Sequence, residues 1–362
     1  MGKRVGLVFG GRSVEHEVSI NSARSVAVGL QEAGHEVVPL GIAPDGCWLP
    51  PAESQPALDG KLSALPAPGG TIAPSLRHLL DAKVDVIFPL VHGTWGEDGT
   101  LQGLCEMLGL PYVGCGVLPS AVAMDKLQAK RLLAAAGVAV VEFRATTRQR
   151  FEADPQAFLT SCAELPLPLF VKPSVGGSSV GVQKIKTADA LEAAVRLALR
   201  FDDQVLVERG VQGRELEVAV LGLHDLEASR VGEIVPGAEF YDYADKYLTD
   251  AAKLIAPAEL EGFVEERIRQ QAIDAFAAIG GWGMARVDFL LEGDKPYVNE
   301  INSIPGFTRI SMYPRLWALT GVPLPMLVDR LVDIAVRKHA ERTSLDEGIK
   351  QWLAELARRS GV

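Results

Sequence analysis

Apolar and polar positions alternate in blocks along the chain. Residues 3–9, KRVGLVF, form an apolar run that stops at Gly10-Gly11 and predicts a buried strand. Helical periodicity follows from about Val14 to Ala33, and Gly34 ends it. HEVVPLGI (35–42) predicts a second strand, completing a βαβ unit of an open parallel sheet. Residues 50–74 are rich in Pro, Ala and Gly and predict an irregular surface insertion. VDVIFPL (84–90) is a third strand that runs into a polar glycine loop and a helix (91–111). Helices are expected at 125–137, near 155–164, at 187–201 and at 259–280. Strands are expected at 139–145, within 169–185 on both sides of a Gly/Ser loop, and within 204–222 on both sides of a short loop. Two apolar runs around the turn-like EGDK make 284–306 a β-hairpin. Amphipathic helices are expected from roughly 315 to 358. Residues 238–253 hold three of the six tyrosines and many charges with little periodicity, and predict a mobile loop able to close over a site.

Composition narrows the function. The chain has 362 residues, enough for two or three domains. A formal net charge of −10 disfavours nucleic acid and anionic membranes as partners. Four cysteines and six histidines show no zinc spacing, which suits a reducing compartment. The N-terminus has too short an apolar run for a signal peptide, and no stretch approaches the ~20 apolar residues that span a bilayer. The expectation is a cytoplasmic protein.

Three stretches carry chemistry. In the hairpin, strand alternation puts Arg286 and Asp288 on one face of the first strand, and Glu300 and Asn302 on one face of the second. If these faces coincide, two carboxylates and an amide converge beside a guanidinium, a hard-oxygen set that suits Mg²⁺ with substrate phosphates. The plainer alternative is an exposed polar face. In LFVKPSVGGSSVGVQKI (169–185), backbone N–H groups of the Gly/Ser loop form anion nests and Lys172 adds a point charge. The usual phosphate-loop pattern GxxxxGK[ST] is absent, as is the dinucleotide fingerprint GxGxxG. GGRSVEHE (10–17) lies at a strand's carboxyl end, where open sheets bind ligands. Glu15 is its candidate for holding a cation, or an ordinary first-turn acid. His92, Glu97 and Asp98 sit on the next such loop, where a carboxylate can also merely cap the helix. Glu208 and Glu215 frame a loop between apolar strands and either accept from a base and a ribose or remain solvated edge charges.

Together these residues resemble the D-alanine–D-alanine ligase family of the ATP-grasp superfamily. The resemblance is carried by GGRSVEHEVS (10–19), HGTWGEDGTLQG (92–103), DK (125–126), FVKPSVGGSSVG (170–181), VERGVQGRELE (207–217), DKYL (245–248), ARVDF (285–289) and NEINSIPGFT (299–308). It covers nearly the whole chain, apart from the 50–74 insertion and the last ~15 residues. It implies an α/β fold, α+β in the ATP-binding part, with three domains in an ATP-grasp architecture. These would be an N-terminal parallel βαβ domain (1–116), a central subdomain with the phosphate loop (117–208), and a C-terminal subdomain with metal site and lid (209–362).

The implied activity is ATP-dependent joining of two D-alanine molecules through an acyl phosphate, releasing ADP and phosphate, for peptidoglycan precursor synthesis. By the same resemblance, Lys126, Lys172 and the loop residues Ser179 and Val180 would hold ATP phosphates. Glu208 would face the adenine and Glu215 the ribose. Asp288, Glu300 and Asn302 would bind two Mg²⁺ ions, with Mn²⁺ as a substitute. Glu15 would receive the ammonium of the first D-alanine, near His92, and Arg286 with the Gly306 backbone would steady its carboxylate and then the oxyanion. Ser311 and Met312 would take the second carboxylate. Ser178, Tyr247 and Glu15 would form one hydrogen-bonded set. The base for the second amine stays open among that set, His92 and the leaving phosphate. Family members are commonly homodimers. One departure is Gly210, which stands where many relatives carry a bulky side chain beside the adenine.

Overall fold

The computed structural model describes residues 2–237 and 253–360. The expected closing loop and Tyr247 therefore fall outside the described residues, except for Lys253.

The chain opens as the periodicity predicts. Strand β1 (Arg4–Gly10), helix α1 (His16–Glu32) and strand β2 (Glu36–Ile42) form the βαβ unit. With β3 (Val86–Pro89) they make a parallel sheet in the order β2-β1-β3. Gly10 ends β1 at φ +91°, and a Cβ there would sit 2.3 Å from the Ile42 carbonyl oxygen, so the turn needs glycine. The 50–74 stretch differs from the expectation. Its first part is a helix, α2 (Pro51–Leu58), and short helices α3 (Ile72–Ser75) and α4 (Arg77–Asp81) follow. Proline fits a first helical turn, whose N–H groups lack partners anyway, and Ser54 and Ala57 are buried.

Helices α5 (Thr100–Leu108), α6 (Val117–Met124) and α7 (Lys126–Ala135) lead away from this sheet. Asp125 caps α7, accepting from the Leu127 and Gln128 N–H groups. A second, antiparallel sheet has the order β4-β7-β5-β6. Its strands are β4 (Phe143–Thr147), β5 (Leu169–Pro173), β6 (Gln183–Ile185) and β7 (Gln204–Arg209). Helices α8 (Arg148–Ala153), α9 (Pro155–Cys162) and α10 (Leu191–Ala198) accompany it. The strand expected at 139–145 thus starts at Phe143, where pairing with β7 begins. The helix expected at 187–201 is shorter, being preceded by a 3₁₀ turn.

The third sheet is β8 (Arg214–Gly222), β9 (Glu227–Val235), β10 (Lys253–Ile255), β11 (Gly283–Glu292) and β12 (Lys295–Asn302). Its order is β10-β9-β8-β11-β12, antiparallel throughout. Helix α11 (Gly262–Ala278) packs on it. Two long-range cores tie the pieces together. Val122, Ala129 and Leu133 of α6 and α7 share a core with the five-stranded sheet and α11. The closing helices α12 (Met312–Leu319) and α13 (Leu324–Ser360) fold back, and Leu316, Trp317, Leu327 and Leu331 join β1, β3 and α1 in another core. No helix among the described residues is long and apolar enough to cross a membrane.

Candidate active site

A cleft of about 1160 Å³ opens where the three sheets meet. One wall is the hairpin. A two-residue turn with Gly293 at φ +59° joins β11 and β12 and fixes their register. A one-residue shift of the pairing between Phe289 and Asp288 then sets Asp288 opposite Glu300 and Arg286 opposite Asn302. On its other side β11 pairs with β8, setting Asp288 beside Glu217. The Arg286 guanidinium grips Asp288 with two bonds, Nε to Oδ1 and Nη2 to Oδ2, both 2.7 Å. Its Nε also lies 3.2 Å from Glu217 Oε1, and Asn302 donates to Asp288 Oδ2 at 3.0 Å. Burial opposes the charge on Arg286, but Asp288 and Glu217 outweigh it and hold the guanidinium protonated well above its ordinary range.

The second wall is the Gly/Ser loop between β5 and β6. Lys126 donates to the Gly176 carbonyl at 2.7 Å, and Ser174 donates to Asp125, tethering the loop to the start of α7. Ser178 and Ser179 adopt φ of +50° and +59°, strained for residues with a Cβ. Behind the loop, Lys172 donates to Glu208 Oε2 at 2.8 Å and to Asn299 Oδ1 at 3.2 Å. The fully buried Lys130 Nζ sits 3.0 Å from Glu208 Oε1, out of line for a hydrogen bond. Glu208 is thus no solvated edge charge. It is 2% exposed and bridges two ammonium groups. Burial would raise its pKa, yet the two lysines hold it at about 2. Burial drags Lys130 below its ordinary value, whereas Glu208 lifts Lys172 above its own against the same penalty.

The third wall comes from the parallel sheet. Glu15 occupies the cap position of α1, but its side chain makes no cap bond. Its carboxylate instead accepts from Ser178 Oγ at 2.6 Å, joining the first loop to the Gly/Ser loop. His92 is buried and donates from Nδ1 to the Ile304 carbonyl at 3.1 Å, with Glu97 Oε1 at 3.4 Å. Its Nε2 lies 3.0 Å from Ser22 Oγ, which accepts from the Phe307 N–H at 3.1 Å. Burial works against charge on both members of this pair. On His92, Glu97 and Glu15 overcome it and the pKa stands above 6.5, and on Glu97 burial prevails and the pKa stands above 4.5. Asp98 does what a turn acid does, accepting from the Trp95 and Thr100 N–H groups.

Ser311 and Met312 begin α12 at the cleft's edge, and Ser311 Oγ accepts from the Thr308 N–H at 3.0 Å. Gly306 packs so closely that a Cβ would meet Ser311 Oγ at 2.8 Å. Gly210 has a local reason. Its N–H donates to the Pro168 carbonyl at 2.6 Å, and a Cβ would come within 2.8 Å of that oxygen.

Among the described residues, the fold thus brings every candidate except Asp98 to one cleft, since Glu215, Ser179, Val180, Glu300 and Asn302 line it as well. Among the described residues no group of three or more His, Cys, Asp or Glu is placed to hold a metal. The hairpin offers two carboxylates and an amide, which fits a hard cation that takes its remaining oxygens from a nucleotide. Sequence reasoning missed Glu217 and Lys130. Both left a signal: Glu217 follows Glu215 at strand period two, and Lys130 follows Lys126 by one helical turn.

A Gly/Ser loop on one antiparallel sheet, facing a carboxylate hairpin on another, is the architecture of an ATP-grasp ligase. The chain belongs to the D-alanine–D-alanine ligase family. The family's N-terminal model, "D-ala D-ala ligase N-terminus", matches residues 4–115, and its C-terminal model, "D-ala D-ala ligase C-terminus", matches 132–333. A D-alanine–D-alanine ligase of Solibacter usitatus is 44% identical over 94% of this chain and 97% of its own length. That of Mycobacterium tuberculosis is 46% identical, covering 92% and 96%. Among solved structures, the D-alanine–D-alanine ligase of Coxiella burnetii superposes with a TM-score of 0.80 at 36% identity, over 98% of this chain and 99% of its own. The VanG D-Ala:D-Ser ligase of Enterococcus faecalis gives 0.79 at 33%, over 92% and 100%.

Proposed function

We propose that this enzyme joins two molecules of D-alanine to D-alanyl-D-alanine at the expense of ATP, releasing ADP and phosphate, and supplies a peptidoglycan precursor in the cytoplasm. The observation that carries this reading is the convergence of the Glu15–Ser178 contact, the Arg286–Asp288 pair and the lysine-lined loop on one cleft.

In this reading the first D-alanine sets its ammonium against Glu15 and its carboxylate near Arg286. That carboxylate attacks the γ-phosphoryl group and becomes an acyl phosphate. Two anions must meet, and Lys126, Lys172 and the loop amides offset the repulsion. Glu208 holds Lys172 in place and faces the adenine, while Glu215 takes the ribose. Two Mg²⁺ ions, or Mn²⁺ in their place, are assigned to Asp288, Glu300 and Asn302 and would neutralise charge on the phosphoryl oxygens. The second D-alanine, its carboxylate at Ser311 and the Met312 N–H, then attacks the acyl carbon with its free amine. Arg286 and the Gly306 backbone stabilise the oxyanion, a contribution of ~3–4 kcal/mol for one well-placed donor. Phosphate leaves and the peptide bond remains. By the family resemblance Tyr247, outside the described residues, would join the Glu15–Ser178 set. The division at 1–116, 117–208 and 209–362 and a homodimeric state belong to the same reading.

Purified protein with ATP, Mg²⁺ and D-alanine should release ADP and D-alanyl-D-alanine in equal amounts. ADP release without the dipeptide would overturn the assignment. The likeness to a D-Ala:D-Ser ligase motivates one rival, in which D-serine replaces the second D-alanine. Competition between the two acceptors decides it, and D-alanine is expected to win.

A further inference from the structure

Lys130 is a buried cation with no part in the reaction above. It stands on α7 one helical turn after Lys126, and its side chain is 1% exposed. Among the described residues its Nζ makes no hydrogen bond, and its one ion-pair partner is Glu208, whose Oε1 lies 3.0 Å away. Burying an ammonium without hydrogen bonds is costly, and a methionine of similar length would fill the same space without that cost. Packing alone therefore gives no reason for a lysine here.

The two oxygens of Glu208 are treated differently. Glu208 sits on β7, fixed between β4 and β5 by its pairing with Phe143 and Phe170. It lines the cleft, whereas Lys130 does not. Lys172 donates to Oε2 and so occupies a lone pair there. Lys130 is out of line with Oε1, and among the described residues that oxygen accepts no hydrogen bond. Lys130 thus balances the carboxylate's charge and leaves its lone pairs open. The two lysines keep Glu208 ionised, so it can accept a hydrogen bond and cannot donate one. With Lys172 alone, both oxygens could turn to that one ammonium, and the open acceptor would be withdrawn. The exocyclic amino group of a 6-amino purine is a donor that fits such an oxygen. A 6-oxo purine sets an acceptor against it, and two acceptors repel.

We propose that Lys130 is a positioning residue that makes the site prefer a 6-amino over a 6-oxo purine nucleotide, by holding Glu208 with one oxygen open to the base. The proposal rests on the reading above in which Glu208 faces the adenine. Equilibrium binding of ADP and IDP to the full chain, with Mg²⁺ and without D-alanine, tests it. The wild type should bind ADP about 100-fold more tightly than IDP, and Lys130→Met should cut that preference about tenfold. A lysine that only supported the fold would lower the melting temperature, or both affinities alike, and leave the ratio unmoved; that result overturns the proposal. If Lys130→Met does not fold, Lys130→Gln is read by the same ratio. Glu208→Gln, whose amide both donates and accepts, should lose most of the preference alone. Adding Lys130→Met to it should change the ratio no further, because Lys130 acts through Glu208. A second tenfold drop in that background would overturn the proposal too. A wild type that binds ADP and IDP equally removes both the base assignment of Glu208 and this role of Lys130. A wild type that discriminates, with Lys130→Met discriminating equally, leaves Glu208 at the base and removes Lys130 alone. Dipeptide release tests the ligase reading independently of either.

Discussion

The two walls that face each other across the cleft are built on opposite principles. The hairpin wall is held by the sheet: β11 is paired on both sides, so Arg286, Asp288 and Glu217 occupy positions that the register dictates. The Gly/Ser wall is held by polar contacts, among them Lys126 to Gly176, Ser174 to Asp125, Val175 to Asp202 and Ser178 to Glu15, across a backbone with two serines at positive φ. The first arrangement suits groups that must meet charge without reorganising, as transition-state stabilisation requires. In the proposed reaction the second suits a cover that must release nucleotide each cycle. Changes to the hairpin should therefore act on the chemical step, and changes to the loop on binding and closure.

The sharpest way to break this contrast is Arg286→Lys. The variant keeps a cation between Asp288 and Glu217 but loses the two-pronged grip. We expect kcat to fall about 10²–10³-fold, the size of one lost oxyanion donor, with little change in the KM for ATP. Steady-state kinetics with ATP and D-alanine varied in turn would show it. A comparable rise in the ATP KM at unchanged kcat would assign Arg286 to binding and erase the distinction.

Lys172→Met comes next in size. It removes one of the two cations on Glu208 and the bond to Asn299. The KM for ATP should rise about 10- to 100-fold, the loss of one charged hydrogen bond to a phosphate, while kcat falls less. Ser178→Ala probes the loop itself. Without the bond to Glu15, kcat/KM for D-alanine should drop about tenfold with the melting temperature unmoved, because the loop adds little to the cores. A melting temperature that falls with activity would make the loop structural, contrary to the comparison.

Much of this contrast was legible in the chain, and for unequal reasons. Strand alternation and the EGDK turn placed Arg286, Asp288, Glu300 and Asn302 on one hairpin, since period and turn chemistry are local properties. Which strand would pair on the far side of β11 is non-local, so Glu217 escaped. The helix at 51–58 hid behind its prolines: Pro51 at the first turn is compatible with a helix, but Pro56 lies inside it. Glu208 read equally as an acceptor from a base or as an edge charge, because burial and a bridge to Lys130 across 78 positions of sequence cannot be read from a window. That α6 and α7 share a core with β8 and β11 was likewise invisible to periodicity.

The smallest expected effect concerns the third wall, which meets the Gly/Ser loop through Glu15 and the turn after the hairpin through His92. The folded state raises the pKa of His92 and of Glu97 above their ordinary values of 6.5 and 4.5. A group whose pKa rises on folding binds its proton more tightly in the native state. His92 therefore adds stability that is fully present below pH 6.5 and is lost as pH rises through its folded pKa. Glu97 acts in the same direction from pH 4.5 upward. Replacing Glu97 by Gln removes the main partner that raises His92 and leaves only Glu15 and the Ile304 carbonyl against burial, the largest influence, which opposes the imidazolium. The wild-type melting temperature should thus decline from pH 6.5 upward, and that of Glu97→Gln should stay level or climb over the same range. Melting curves taken across that range in one buffer series would settle the sign. Parallel profiles for the two proteins would show that the His92–Glu97 pair does not hold the 304–307 turn against the 91–99 loop through its charge, leaving the neutral chain from the Phe307 N–H through Ser22 to His92 to do so.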